Sequence, residues 1–241
     1  MQRNYSSIRS FSTSNFFDLH VLGNENVIRE AERLGYAGIA VTRYFEDFNS
    51  GFSRDFNDLT KSSNIILKKS VEISSKDPDD LRKKIQKSRK RADILMVRGG
   101  DLKVNRAACE DQRVDILSQP YRSRRDTGLN HILARKAAEN RVAIEINLKI
   151  FLKTNLRYRY RVINQFRHII KLQRKFKFPL IITSSANSKY DLKTPQDISA
   201  LAKCFGMTFE ESFDAISKTP QDIIETNDER DSFIIDGVRT I

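Results

Sequence analysis

The 241-residue chain has no tryptophan, two cysteines and three histidines. Cys109 and Cys204 lie far apart and form no CxxC. That argues against a disulfide scaffold and suits a reducing compartment. His20, His131 and His168 are scattered, and no HExxH, Walker A loop or GxGxxG occurs. The common helix-borne zinc motif and the usual phosphate-cradling loops are therefore excluded. Nine glycines and five prolines supply no linker that would divide the chain. No apolar run approaches the ~18 residues a membrane helix needs, so no membrane partner is expected.

The most telling shortage is of acids. Residues 82–177 hold 27 Lys or Arg against 8 Asp or Glu, whereas residues 190–241 hold 5 against 11. The net charge of +12 is therefore concentrated. A one-sided positive field reads as a polyanion-binding face, with nucleic acid as the leading partner over a merely solvated Lys-rich surface. Residues 1–15 carry Arg and Ser but no acid. They are short and show no clear amphipathic helix, so they are read as a flexible tail rather than a mitochondrial transit peptide. A cytoplasmic location is expected.

Apolar, β-branched runs recur at Phe16–Val21, Tyr36–Thr42, Ile65–Ile73, Ile94–Val97, Val114–Ser118, Val142–Leu148 and Leu180–Thr183. Near-continuous apolar character is what strands buried on both faces require. Helical patterns lie between them, at Asn24–Leu34, Asp55–Ser62, Pro78–Arg91, Asp101–Asp111, Thr127–Asn140 and Arg157–Lys175. Such alternation predicts a parallel sheet covered by helices, here a TIM-like β/α barrel of about seven strands. One domain is expected over residues 16–227, with a C-terminal tail at 228–241. Asp77, Thr194 and Thr219, each followed by Pro, are expected helix caps.

The functional face of such a barrel is the rim at the strands' C-terminal ends. Read off the sequence, that rim carries Asp18, His20, Thr42, Arg43, Glu72, Ser74, Arg98, Gln119, Arg122, Glu145, Asn147, Thr183, Ser184 and Ser185. The ligands are too few for a convincing metal centre, and the acids can pair with Arg43 or Arg98. After the fifth strand, Tyr121-Arg122-Ser123-Arg124-Arg125 offers planar forks for phosphate and a ring for stacking. Residues 153–177 hold nine Lys or Arg and no acid. At helical spacing Val162, Phe166, Ile169 and Ile170 share one side, with Arg161, Arg167, Lys171, Arg174 and Lys175 opposite. Arg157 joins the cationic set. With no partner three or four residues away, these charges are expected to repel unless an outside anion is present.

The segment VDILSQPYRSRRDTGLNHILARKAAENRVAIEINL resembles the ribonuclease P protein component 3 family of archaea and eukaryotes. FFDLHV, PLIITSSANS and TPQDISALAKCFGM match the same family in order, so the resemblance covers roughly residues 16–227. It implies a barrel related to metal-dependent phosphoesterases of the polymerase-and-histidinol-phosphatase type. Their first strand carries DLHxH, whereas Asp18-Leu19-His20-Val21-Leu22 stops after one histidine, so the metal site looks lost. The resemblance implies an RNA-binding subunit of ribonuclease P, which removes the 5′ leader of precursor tRNA. Chemistry is expected from the RNA subunit and its Mg²⁺, with no cofactor held by the protein and no catalytic residue on it. Implied partners are the ribonuclease P RNA, precursor tRNA, protein component 2 and the other protein subunits. Implied RNA-facing residues are Arg98, Arg122, Arg124, Arg125, His131 and Lys149, to which the cationic helix adds Arg157, Arg161, Lys171 and Arg174. The rival expectation is a free-standing metal-dependent phosphoesterase on the same barrel.

Overall fold

A computed structural model describes residues 15–235 and 238–239. The tail expected before Phe16 lies outside the described residues, apart from Asn15. Seven strands form one parallel sheet in sequential order: β1 (Phe17–Val21), β2 (Gly38–Tyr44), β3 (Ile66–Ile73), β4 (Ile94–Arg98), β5 (Ile116–Ser118), β6 (Ala143–Asn147) and β7 (Leu180–Thr183). Helices α1 (Glu25–Arg33), α2 (Ser50–Ser62), α3 (Pro78–Ser88), α4 (Leu102–Glu110) and α5 (His131–Glu139) follow the first five strands. A short α6 (Leu148–Lys153) and a long α7 (Leu156–Phe176) follow β6. After β7 come α8 (Pro195–Cys204), α9 (Phe209–Ile216), α10 (Lys218–Ser232) and a two-stranded hairpin, β8 (Phe233–Ile235) with β9 (Val238–Arg239).

The barrel closes because β7 reaches back to β1. Val21 pairs with Ala186 beyond the end of β7, and Leu22 N–H donates to Ala186 O at 2.8 Å. Asp18 locks this seam. One carboxylate oxygen accepts from Ser184 N–H at 3.0 Å, and the other accepts from His20 N–H at 3.1 Å. The second bond sits where the β1–β2 register slips, between Asp18 and Val21. Such a bulge lets His20 turn inward although the strict alternation of a strand would send it out.

Inside the barrel the core is apolar at one end and polar at the other. Phe17, Leu19, Ala40, Ile94, Met96, Ile116, Ala143 and Ile181 fill the lower layers, and Ile224 of α10 seals them from below. The outward faces of the strands form the larger core with the helices, where Phe166, Phe178 and Phe205 are fully buried. Gly38 is required by close approach: a Cβ there would lie 2.8 Å from Ile66 O and 3.0 Å from the Phe17 ring.

Asp77 and Thr194 cap α3 and α8 as expected. Thr219 does not cap: α10 begins at Lys218, and Gln221 N–H bonds Ser217 O. The boundary expected at 227 falls inside α10, where Asp228 accepts from Lys68 Nζ at 2.5 Å. A cavity of about 1110 Å³ lies at the strands' N-terminal end against α10, away from the rim.

Candidate nucleic-acid interface

Most of the polar residues expected on the rim are inside it. Asp18, His20, Thr42, Glu72, Glu145, Asn147 and Thr183 are all buried. Glu145 is the hub. Its oxygens accept from His20 Nδ1 and Ser118 Oγ at 2.6 Å, Thr183 Oγ1 at 2.5 Å and Asn147 Nδ2 at 3.2 Å. Burial favours the neutral imidazole of His20, but Glu145, with Glu72 and Asp18 behind it, outweighs burial and raises the His20 pKa to about 9. Glu72 accepts from Arg98 Nη2 at 2.5 Å. Arg43 forms no salt bridge among the described residues; its guanidinium donates to the carbonyls of Thr42, Leu22 and Gly23, with Asp47 and Asp55 near enough to favour its charge.

The carboxylates of the mouth are largely engaged by protein donors. Both oxygens of Asp18 accept from backbone N–H groups, Glu145 has four donors and Glu72 Oε2 has a guanidinium, whereas Glu72 Oε1 and His20 Nε2 are buried without a hydrogen-bond partner among the described residues. Among the described residues no three His, Cys, Asp or Glu gather where they could share an ion. The carboxylates tie the strands of the barrel mouth to one another.

The cations stand above this plug. Arg98 lies 4.8 Å from the Tyr44 ring centroid. Lys149 is half-buried, and its Nζ donates to Ser185 O at 3.1 Å. Burial, the charge of Lys153 and, more weakly, Arg98 depress its pKa, so an added anion would be favoured there. Three non-glycine residues at the mouth adopt left-handed backbone: Gln119 (φ 49°), Ser123 (φ 58°) and Ser185 (φ 49°). Strain of this kind persists only when surrounding contacts hold it.

For the loop that follows β5, those contacts are visible. Asn105 of α4 is fully buried, and its Nδ2 donates to Pro120 O at 3.0 Å and Gly128 O at 2.9 Å. Its Oδ1 accepts from Gly100 N–H at 2.9 Å. Gln165 of α7 donates to Arg124 O at 2.9 Å and Asp126 O at 2.8 Å. Gly128 sits at φ +65°, where a Cβ would collide with Pro120 O. The loop is therefore pinned from two helices, and it presents its arginines from a fixed backbone. Arg122 and Arg125 are exposed, with no ion-pair partner among the described residues. Arg124 is tied to Asp126 at 2.6 Å. His131 is exposed at the start of α5.

Tyr121 corrects the sequence expectation. It is no stacking platform but 2% exposed, edge-on to Phe166 with centroids 5.2 Å apart, and its hydroxyl accepts from Asn147 N–H at 3.2 Å. The expected repulsion along α7 needs a second correction. Arg174 is neutralised by Glu211 of α9, at 2.7 Å from both Nε and Nη2, and it also donates to Gly206 O at 2.7 Å. The partner was not visible in the sequence because it lies 37 residues away. Lys171 and Arg167 share that flank, along a cleft formed with Phe205 and Gly206. Arg157 and Arg161 are exposed nearer the helix start.

Asn105 and Gln165 were missed by the sequence reading. Their signal was present: each is a polar residue on the apolar stripe of an amphipathic helix, a position filled only when its hydrogen bonds are met.

Comparison with known proteins is decisive at this point. The profile of the RNase P subunit p30 family matches residues 15–232. The chain belongs to that family. It is 45% identical over 234 residues to ribonuclease P protein component 3 of Methanothermobacter thermautotrophicus, covering 94% of this chain and 95% of the relative. The Methanocaldococcus jannaschii component 3 is 35% identical over 183 residues, covering 76% and 79%. A chain in the cryo-EM structure of archaeal ribonuclease P with mature tRNA superposes with a TM-score of 0.83 at 31% identity, covering 93% and 97%. Histidinol phosphate phosphatase of Lactococcus lactis shares the fold alone, with a TM-score of 0.52 at 10% identity and coverage of 89% and 93%. The chain is thus a ribonuclease P protein subunit on a TIM-like barrel. Among the described residues no helix is long and apolar enough to cross a membrane.

Proposed function

We propose that this subunit binds the ribonuclease P RNA through the C-terminal mouth of its barrel and the adjoining face of α7. In this role it supports removal of the 5′ leader from precursor tRNA in the cytoplasm. The observation that carries the reading is the pinned loop: Arg122 and Arg125 stand exposed and unneutralised on a backbone fixed by Asn105 and Gln165. Guanidinium forks held this way match phosphate geometry without the entropy cost of ordering a loop. Arg98, Arg124, His131 and Lys149 extend the face across the mouth, and Arg157, Arg161, Lys171 and Arg174 extend it along α7.

The physical role is charge screening. Cations fixed on one face lower the Mg²⁺ that closely packed RNA phosphates require, while Mg²⁺ acts through the RNA and the protein holds no cofactor. Protein component 2 is the expected direct protein partner. The test is reconstitution with the cognate RNA and component 2. Cleavage of precursor tRNA should need less Mg²⁺ with the subunit present, and RNA affinity should fall with salt at a log–log slope of roughly −0.7 to −0.9 per phosphate contact. An affinity that stays flat with salt would reduce the basic excess to solvation. The phosphoesterase alternative rests on fold likeness alone.

A further inference from the structure

Several large apolar side chains are exposed together at the start of α7. Leu156 is 76% exposed, Tyr158 46% and Tyr160 55%, all within the first turns of α7. Apolar exposure of that kind marks a binding surface when it is contiguous. Here it is interleaved with Arg157, Arg159 and Arg161, and residues 153–177 contain no acid.

Arg161 links the two rings. Its guanidinium carbon lies 5.1 Å from the Tyr158 centroid and 5.7 Å from the Tyr160 centroid, and its Nε donates to Tyr160 Oη at 3.1 Å. The base of the cluster is stiff. Arg159 Nη2 donates to Leu152 O at 3.2 Å and Thr154 O at 3.4 Å, and its guanidinium covers Phe151 at 5.2 Å, which fixes the α6–α7 turn. Asn155 caps the helix by accepting from Arg157 N–H at 3.0 Å. Tyr158, Arg161 and Gln165 are spaced three and four residues apart, so they share one strip of α7. Gln165 is the residue that grips the arginine loop. The rings therefore begin where the phosphate-binding face ends.

We propose that Tyr158, Tyr160 and Arg161 form a stacking platform for unpaired nucleobases of RNA, with Arg157 holding the adjoining phosphate. The proposal rests on the RNA-binding reading above and specifies single-stranded RNA at this position. Charge complementarity selects the occupant. A protein partner would have to bring acids to a cluster free of them, whereas RNA brings a phosphate with every base. Tyrosine faces and guanidinium planes stack on bases whatever their sequence.

The test uses the full chain with a short unpaired oligoribonucleotide carrying 2-aminopurine, and a duplex of the same strand as the control. Binding should quench the 2-aminopurine fluorescence. Tyr158→Ala with Tyr160→Ala should weaken single-strand binding by about ten-fold or more, in line with the loss of base stacking. It should abolish the quench, spare duplex binding and leave the salt slope unchanged, because no charge is removed. Tyr158→Phe with Tyr160→Phe should restore both affinity and quench. Unchanged single-strand affinity in the alanine variant, at unchanged melting temperature, overturns the platform while leaving the RNA reading intact. Loss of assembly with component 2 in that variant, with RNA binding intact, assigns the rings to a protein interface and overturns it equally. Absence of RNA binding by the wild-type chain overturns the underlying reading.

Discussion

His20 Nδ1 lies 2.6 Å from Glu145 Oε1, and both side chains are buried at the barrel mouth, joining β1 to β6 across the interior. The contact makes a structural clamp of the β1 histidine and the most connected carboxylate of the mouth. It also makes stability depend on pH. The His20 pKa is raised from 6.5 to about 9, against the pull of burial, by Glu145 and the acids behind it. Folding therefore favours the protonated ring. That stabilisation is complete below about pH 6.5 and is lost as pH rises through about 9, on the order of 3 kcal/mol in all. Burial raises Asp18 to about 6, so its titration overlaps only the lower edge of this window and the upper part reports on His20. The melting temperature should fall across the window in the wild type and change much less in His20→Gln. An equal fall in the variant would place the titration elsewhere.

Arg122→Ala with Arg125→Ala should weaken RNA binding and shallow its salt slope by about one to two contacts. Both are exposed and without ion-pair partners among the described residues, so stability should move by about 0.5 kcal/mol or less. Arg124→Ala belongs in a separate variant, because it also breaks the pair with Asp126. Thermal melts alongside binding isotherms check both statements; a large drop in melting temperature would make these arginines structural.

Asn105→Ala tests whether the loop's stiffness matters. It strands the carbonyls of Pro120 and Gly128, which should cost about 1–3 kcal/mol. RNA affinity should fall with the salt slope nearly unchanged, because every cation is still present. Hydrogen exchange on residues 119–128 should rise in the same variant.

Phe166 is fully buried between Tyr121 and Phe205, with centroids at 5.2 and 5.0 Å. Phe166→Ala should cost about 3–5 kcal/mol, read from denaturant unfolding. A cost under about 1 kcal/mol would mean that α7 is not part of the cooperative core.

Lys171→Glu and Arg174→Glu should part company. Lys171 is exposed with no ion-pair partner among the described residues, so its reversal should leave stability nearly unchanged. Arg174→Glu faces Glu211 with a like charge and should destabilise by about 1 kcal/mol, with only partial recovery in the double variant carrying Glu211→Arg, which also gives up the Glu211 bond to Thr208 N–H at the start of α9. Both single variants should weaken RNA binding. Unfolding curves and RNA affinities on the three variants separate the two roles.

Periodicity and composition carried much of this protein to the reader of its sequence. Seven apolar runs separated by helical patterns implied the parallel barrel, because a strand covered on both faces must be apolar throughout. The Asp77 and Thr194 caps were legible because capping is settled within a few residues. The concentration of Lys and Arg between 82 and 177 was legible because charge can be counted along a chain before it folds, whereas which of those charges are paired was not. Tertiary structure decided what depends on distant partners. It buried Tyr121 against Phe166, paired Arg174 with Glu211 across 37 residues and drew Asp18, His20 and Glu145 into a clamp. It also left Arg122 and Arg125 outside while Asn105 and Gln165 stiffened the backbone beneath them. Which cations are free to meet RNA is a question of residual neutralisation, and that is set by neighbours in space rather than in sequence.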